Sequence, residues 1–590
     1  MALRFDDIVL SAQKGIDRLI RRVRRGGAAK VSQRRFLIIQ IDGLSRAVLD
    51  KAIAGGHMPF VRRLVRRHGH RVQPMSVGLP TSTPAFQMAA MYGVRPPDIP
   101  GFHYYSRERQ SDIHFPRKGH AAWVEEKLAG GRRGILRGGS AYGCVFTGGA
   151  DNSLFTFAKL TQPSGRGVLA ALSPFVVLAW VCAASTLRTL IELVKVVPHL
   201  ANRAQRQQSR RWFVIKIGIS VWIRGFFTMA TCRDLYAGVP AVYVNYVDYD
   251  EAAHAFGPSS RPALVTLARV DRAVRQLWRV VRRVPEHQYD FYILADHGQT
   301  PCKPYRELNG GQRFEQWIFD RCLPGSPQRA KRDDTGNQGL AHGIRSHSKG
   351  VAGFFQHFLN YVDEDYMRRS DPEAYEKDGI RVISAGPNAF LYCLDEKQPC
   401  DFDALEKRFP GLAQKLSQSP GVGFVLARSS SGPVCFCQGK RYRFPESGSG
   451  PFADRADAGS VIQGITDLMA MPSAGDLVIY GTGAAGGNVS FIPEHGSHAG
   501  PSAEEMNTFI VRPRKIVLAQ TITHPAQLYD HFIRYQSGFA NGARYSWEQA
   551  QHHSSNHRAP RTKKKHKGLQ PALRFGVGLH SPGKAHSRRR

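Results

Sequence analysis

The chain has 590 residues and 65.6 kDa, with 42% hydrophobic and 22% charged residues, a globular balance that excludes wholesale disorder, collagen-like repeats and a fully membrane-embedded body. The charge is out of the ordinary, 82 Lys+Arg against 47 Asp+Glu leaving a net +35. Residues 1–35 carry ten basic and three acidic side chains, 188–233 nine and one, and 551–590 eleven and none, together 26 of the 35 excess charges. The charge belongs to appendages and the body is only mildly basic. Nine cysteines without a C-x-x-C pair do not read as a disulfide framework or a structural zinc site. Cys182, Cys232, Cys393 and Cys435 sit in apolar runs, which predicts buried free thiols.

The first segment, MALRFDDIVLSAQKGIDRLIRRVRR, has early acidic residues and no uninterrupted apolar stretch, so it does not read as a signal peptide. Phe5, Val9, Ala12, Ile16, Leu19 and Val23 recur at helical spacing, with Arg18, Arg21, Arg22 and Arg25 off that stripe. The pattern predicts a basic amphipathic helix, suited to an anionic membrane surface or to packing on its own domain. Next come short apolar runs rich in branched and aromatic residues: FLIIQI (36–41), AVYVNYV (241–247), YDFYILA (289–295), DLVIYG (476–481) and TFIVRP (508–513). They predict buried parallel strands. Helical patterns lie between them, the clearest one capped by Ser259 and Ser260 with Leu264, Leu267, Val270, Val274, Leu277 and Val281 on one face. The fold class expected is α/β, a mostly parallel central sheet with helices on both faces.

Two interruptions are expected. Residues 388–445 (AFLYCL, a helical stretch near 402–418, VGFVLA, PVCFC) read as a small inserted α+β subdomain. Residues 164–233 read as a helical insertion that either associates with a membrane or caps the active site. Gly167–Leu187 is long enough to span but contains Pro174, and Trp212–Ala230 carries Lys216, Ser220, Arg224 and Thr228 on one helical stripe. A charge at mid-bilayer costs about 2.5–3.5 kcal/mol, which favours a helical pair lying in the interface. The division expected is a basic amphipathic segment (1–35), core parts at 36–163, 234–387 and 446–545, the two insertions, and a disordered basic tail at 546–590 able to meet nucleic acid or anionic lipid. Membrane association, with one or two segments within 167–230, and an otherwise cytoplasmic location are the expectation.

In an open α/β sheet the site forms beyond the carboxyl ends of the strands. After FLIIQI comes Asp42-Gly43; after AVYVNYV comes DYDEAAHAFGP with Asp248, Asp250 and His254; after YDFYILA comes Asp296-His297-Gly298; after DLVIYG and a glycine-rich hairpin comes EHGSHAG with His495 and His498. One such aspartate is usually a turn former. Converging carboxylates and imidazoles point to divalent metal, and the mixture suits Zn²⁺, with Mn²⁺ as the alternative. In LPTSTPAFQMAAMYG (79–93), Pro84 predicts a helix start and Gly93 its end. Thr83 then lies at a helix N-terminus, where an anion such as phosphate is favoured. It is either a cap or, beside those ligands, a nucleophile.

The strand ending in IDG, the PTSTP turn, DEAAHAFGP, ADHG and the late HG together resemble the alkaline phosphatase superfamily, most closely its type I phosphodiesterase/nucleotide pyrophosphatase branch. The resemblance covers roughly 36–150 and 240–515. It implies one metal on Asp250, His254 and His495, and a second on Asp42, Asp296 and His297, with Thr83 bridging toward both. It also implies attack by Thr83 on phosphorus and a phosphothreonyl intermediate. His498 is the alternative late ligand. The chain departs from the branch at T-P-A-F-Q after the nucleophile and at GVRPPDIPGFHYY (93–105), which argues against a nucleotide substrate. Cys302-Lys303-Pro304-Tyr305-Arg306 matches a sulfatase signature in the wrong place, and GTGAAG (481–486) precedes no helix and reads as a hairpin turn. Asp248 reads as a polar neighbour of the site. The leading function is a metal-dependent phosphoric ester hydrolase. Lipid head-group phosphotransfer with the same site, and non-catalytic polyanion or membrane binding, are the alternatives.

Overall fold

Six consecutive buried residues, Phe36 to Ile41, set the architecture. In β1 (Arg35–Ile41), Phe36 and Ile38 join one apolar cluster while Leu37, Ile39 and Ile41 join another. A strand apolar on both faces must be covered on both. The computed structural model describes residues 34–117, 119–154, 223–323, 328–329, 374–518 and 521–536. The amphipathic pattern of 1–25, the stretch Gly167–Leu187 and the basic tail lie outside them.

After β1 come helices α1 (Arg46–Ala54) and α2 (Pro59–Arg67), strand β2 (His70–Ser76) and helix α3 (Thr83–Tyr92). Strands β3 (Ser140–Tyr142), β4 (Asn152–Leu154) and β5 (Ala241–Tyr246) follow, then α4 (Asp248–Phe256), α5 (Arg261–Val281), β6 (Tyr289–Leu294) and, late in the chain, β7 (Asn507–Pro513). The main sheet runs β2-β7-β6-β1-β5-β3-β4. The pairs from β6 to β4 are parallel, and β7 runs antiparallel to both β6 and β2. The mostly parallel α/β sheet expected from the sequence is present. TFIVRP enters it antiparallel, a correction to its parallel reading. Strand β2 has little apolar alternation and contains Pro74, which an edge strand tolerates because one ladder partner is missing.

The larger correction concerns DLVIYG. Its strand, Leu477–Tyr480, lies at the centre of a second, eight-stranded sheet in which every pair is antiparallel. It pairs with Asn388–Cys393 on one side and Phe424–Ala427 on the other, so the strands read as a small subdomain extend into a sheet reaching from 328 to 480. A four-residue apolar run carries no information about the direction of its neighbours. GTGAAG leads into a two-residue strand, Val489–Ser490, and no helix follows it.

Of the 164–233 insertion, only 223–233 is described, as part of a helix over 223–237. Its polar stripe faces inward. The buried Arg224 guanidinium lies 2.6 Å from Asp248 Oδ1, and Thr228 Oγ1 lies 2.8 Å from the Tyr246 hydroxyl. This part of the stripe therefore packs on the catalytic core, a correction to the interfacial reading there, because a buried arginine is stable only with a partner charge. No helix of the described residues is long and apolar enough to cross a membrane.

Candidate active site

Strands β1, β5 and β6 end on one edge, and each hands a carboxylate to it. Asp42 follows β1, Asp250 sits in the first turn of α4 after β5, and Asp296 follows β6. Gly43 makes the approach of the first two possible: its φ is +72°, and a side-chain carbon there would overlap the Asp250 carboxylate. Thr83 opens α3 after Ser82, with Pro84 in the first turn and Gly93 closing the helix in the left-handed conformation. Its Oγ1 is 3.2 Å from Asp42 Oδ1 and 3.2 Å from His297 Nε2.

Three imidazoles are fixed in the same way. His254 Nδ1 lies 2.8 Å from Glu494 Oε2 and 2.8 Å from the Gly496 carbonyl. His297 Nδ1 is 3.1 Å from the Gly298 carbonyl, and His498 Nδ1 is 2.8 Å from that of Thr81. Holding Nδ1 this way sets the ring and leaves Nε2 for the centre, the arrangement metal-binding histidines require. Accordingly His254 Nε2 is 3.2 Å from Asp250 Oδ2, His297 Nε2 is 3.3 Å from Asp296 Oδ2, and His498 Nε2 is 4.0 Å from Asp250 Oδ1. The His297 and His498 rings stack with centroids 3.8 Å apart.

The electrostatics are those of an anion cluster lacking cations. No lysine or arginine pairs with Asp42 or Asp296 among the described residues. Burial, reinforced by Asp250 and, for Asp42, by Asp296, raises both carboxyls, Asp296 to about 7. Burial lowers His297, and His498 beside it adds to the effect. Asp250 behaves oppositely: burial works against it, yet the His254 imidazole holds its carboxyl well below the usual range. Among the described residues Asp296 Oδ2 accepts no hydrogen bond although it is fully buried. An orphaned carboxylate oxygen and two carboxyls stranded without counter-charge fit a divalent cation. Ligand atoms of Asp42, Asp296 and His297, and of Asp250, His297 and His498, fall within 4.8 Å of one another.

The structure thus brings together Asp42, Thr83, Asp250, His254, Asp296 and His297. It leaves out His495. That side chain is exposed, and the residue reaches the site only through its backbone, donating to the His254 carbonyl and accepting from the Cys302 amide. The next residue, Gly496, abuts the Ala253 carbonyl so closely that a Cβ would overlap it. His498 occupies the place assigned to His495. Asp248 is engaged by Arg224, and Cys302, its thiol raised by burial, has its sulfur on the Glu494 carbonyl at 3.5 Å. Unforeseen from the sequence are Glu494, which holds His254, Gln299, whose Nε2 is 2.5 Å from Asp250 Oδ1, and Asn245, whose Nδ2 is 2.7 Å from Asp42 Oδ2.

An α/β fold with such a carboxylate–imidazole–hydroxyl edge defines a class of phosphoester hydrolases. The model of the type I phosphodiesterase/nucleotide pyrophosphatase family matches residues 36–367, more than half of the chain, and the chain belongs to that family. It is a phosphoester hydrolase of a divalent-metal-dependent family. No curated protein sequence matches it. Among solved structures it is similar to phosphonoacetate hydrolase from Sinorhizobium meliloti in complex with phosphonoformate, at 14% identity and a TM-score of 0.43, over 86% of this chain and 96% of that one. It is also similar to murine ectonucleotide pyrophosphatase/phosphodiesterase 5 in an inactive form with AMP, at 12% identity and a TM-score of 0.42, over 88% of this chain and 99% of that one.

Proposed function

We propose that the protein hydrolyses phosphoric diesters through Thr83 as nucleophile, on a site built for two divalent ions. The observation that carries this is the placement of Thr83 Oγ1 at 3.2 Å from both Asp42 and His297, in a buried site where no lysine or arginine among the described residues neutralises Asp42 or Asp296. Asp42, Asp296, His297 and Thr83 would hold one ion, and Asp250, His254 and His498 the other, a mixture of oxygen and imidazole donors suited to Zn²⁺ or Mn²⁺. Such ions supply Lewis-acid charge and lower the pKa of a neighbouring hydroxyl.

The chain's own part is orientation. Thr83 Oγ1 donates toward Asp42 Oδ1 and is fixed by it, while the N-terminus of α3 favours the anionic phosphoryl group in front of it. As the Oγ1–P bond forms, the P–O bond to the leaving alcohol breaks and the alcohol departs with a proton. Water then cleaves the phosphothreonyl ester and regenerates the hydroxyl. The test is Thr83→Ala assayed on bis-p-nitrophenyl phosphate with metal content measured in parallel. Activity should fall by about three orders of magnitude or more while bound metal is largely retained. Residual activity above about a tenth of the parent would exclude Thr83 as the nucleophile. The monoester p-nitrophenyl phosphate, run beside it, should be the poorer substrate of the parent enzyme.

A further inference from the structure

Opposite the catalytic edge, at the end where β1 and β6 begin, the surface is strongly basic. Helix α2, PFVRRLVRR, contains no acid, and α5, which packs beside it, contains only Asp271, buried and spent on the Phe60 and Val61 amides at 2.9 Å each. Arg62, Arg63, Arg66, Arg67 and Arg71, with Arg282 at the end of α5, are all exposed, and none pairs with a carboxylate among the described residues. Arg63, Arg67 and Arg282 share one space. His68, whose ring lies 5.6 Å from that of Trp278 on α5, is lowered by burial and then by Arg282, Arg63 and Arg67. Crowded like charges without counter-acids store repulsion that an anionic surface relieves.

The segment following β7 adds a second feature. Arg514 donates to the His70 carbonyl at 3.0 Å and its backbone amide to the Gly69 carbonyl at 2.8 Å, which fastens the start of this segment to the end of α2. Three residues on, Val517 is 76% exposed, well beyond any other large apolar side chain named as exposed among the described residues. A protruding valine three residues beyond Arg514 suits a bilayer, whose headgroups take the charge and whose acyl boundary takes the apolar tip. A nucleic acid would reward the arginines equally but give the exposed Val517 no use.

We infer that α2, the end of α5 and residues 514–517 form a docking surface for an anionic lipid bilayer. The ligand-bearing ends of β1 and β6 lie a strand's length away, about 20 Å. Docking therefore turns the catalytic edge toward bulk solvent, so a soluble ester reaches the site whether or not the protein is bound.

The test is sedimentation of the full chain with phosphatidylcholine vesicles and with vesicles containing phosphatidylserine. The parent should bind the second and not the first, less strongly in high salt. The triple variant Arg63→Glu/Arg67→Glu/Arg282→Glu should lose about tenfold or more in partition, from the attraction of each basic side chain to an anionic leaflet. A control triple of the same net charge on the second sheet and its helices, Arg321→Glu/Lys407→Glu/Lys440→Glu, should change it by less than about twofold. Val517→Asp, which keeps every arginine, should lower the salt-resistant fraction severalfold. Thermal unfolding and hydrolysis of a soluble ester should stay at parental values in all of them. Equal loss in both triples, or retained binding in the first, overturns the proposal, since total charge or another segment then carries the effect. Unchanged binding by Val517→Asp overturns bilayer insertion, and binding of duplex DNA in place of the vesicles overturns the lipid assignment.

Discussion

Two buried acid clusters in this molecule look alike on a distance criterion and are opposites chemically. Asp42, Asp296 and His297 gather at the carboxyl edge of the main sheet, and Cys393, Cys400 and Asp476 gather in the second sheet, each set with donor atoms within 4.8 Å. Asp476 is saturated. Both its oxygens accept from Arg107 at 2.7 Å, the Cys393 and Cys400 amides each add a bond at 2.8 Å, and Arg428 stands 3.9 Å away. Its neighbouring thiols are raised by burial. Nothing is left for a cation to bind. Among the described residues Asp42 and Asp296 have no such arginine, and one Asp296 oxygen accepts no hydrogen bond. A buried carboxylate neutralised by protein is architecture, and one left without counter-charge is a site.

The largest effects that could break this contrast come from metal. Chelation should abolish ester hydrolysis, and Zn²⁺ or Mn²⁺ should restore it. Elemental analysis should give about two equivalents per chain, falling toward one in Asp250→Asn or His297→Ala, because each removes a donor that the other residues cannot replace. His498→Ala should lose both metal and rate by about one to two orders of magnitude, whereas His495→Ala should change neither beyond about twofold. The reverse result would restore His495 as ligand and undo the geometric argument for His498.

How far the sequence reached explains why that last pair needed the structure. Asp42, Asp250, Asp296 and His297 were legible because each lies within three residues of the end of a short apolar run, and strand ends fix what lies on the edge. Thr83 was legible through Pro84 and Gly93, which bracket its helix. The late loop has no such ruler. His498 is chosen over His495 by the carbonyl of Thr81, more than 400 residues earlier, and by the flush contact of Gly496 with α4. Glu494, Asn245 and Gln299 act through contacts that no local periodicity encodes. The strand at 477–480 was recognised, but its antiparallel neighbours were set by tertiary pairing.

A smaller effect tests the architectural half of the contrast. Asp476→Ala leaves the Arg107 and Arg428 charges buried and two backbone amides without an acceptor. Breaking a buried pair in this way costs about 3–5 kcal/mol. Urea unfolding should show that loss, with metal content and kcat unchanged at temperatures where the variant is folded. A fall in metal content would mean that the second sheet reports on the site after all.

Glu505 supplies the third kind of buried acid, and the smallest effect. Ser502 and Glu505 have the S-x-x-E spacing of a capping box, and the Glu505 amide donates to Ser502 Oγ at 3.1 Å. Its carboxyl goes elsewhere: Oε2 lies 3.0 Å from Thr81 Oγ1 and 2.5 Å from the Gly500 amide. Thr81 Oγ1 in turn accepts from the Ala499 amide at 3.0 Å, steadying a residue with φ of +112° next to His498. Burial raises Glu505 to about 7, from an ordinary 4.5. The folded chain therefore holds one more proton than the unfolded chain between those values, so this group's stabilising share is complete below about 4.5 and fades as pH rises through 7. The full difference amounts to about 3 kcal/mol. Glu505→Gln keeps a neutral polar side chain without the titration. It should match the parent near pH 5 and become the more stable of the two by pH 8, with metal saturating in both so that ion binding cancels from the comparison. Thermal unfolding across that range decides it: parallel curves for parent and variant would mean that Glu505 is ionised in the fold and has a cation partner, which would place it with Asp476.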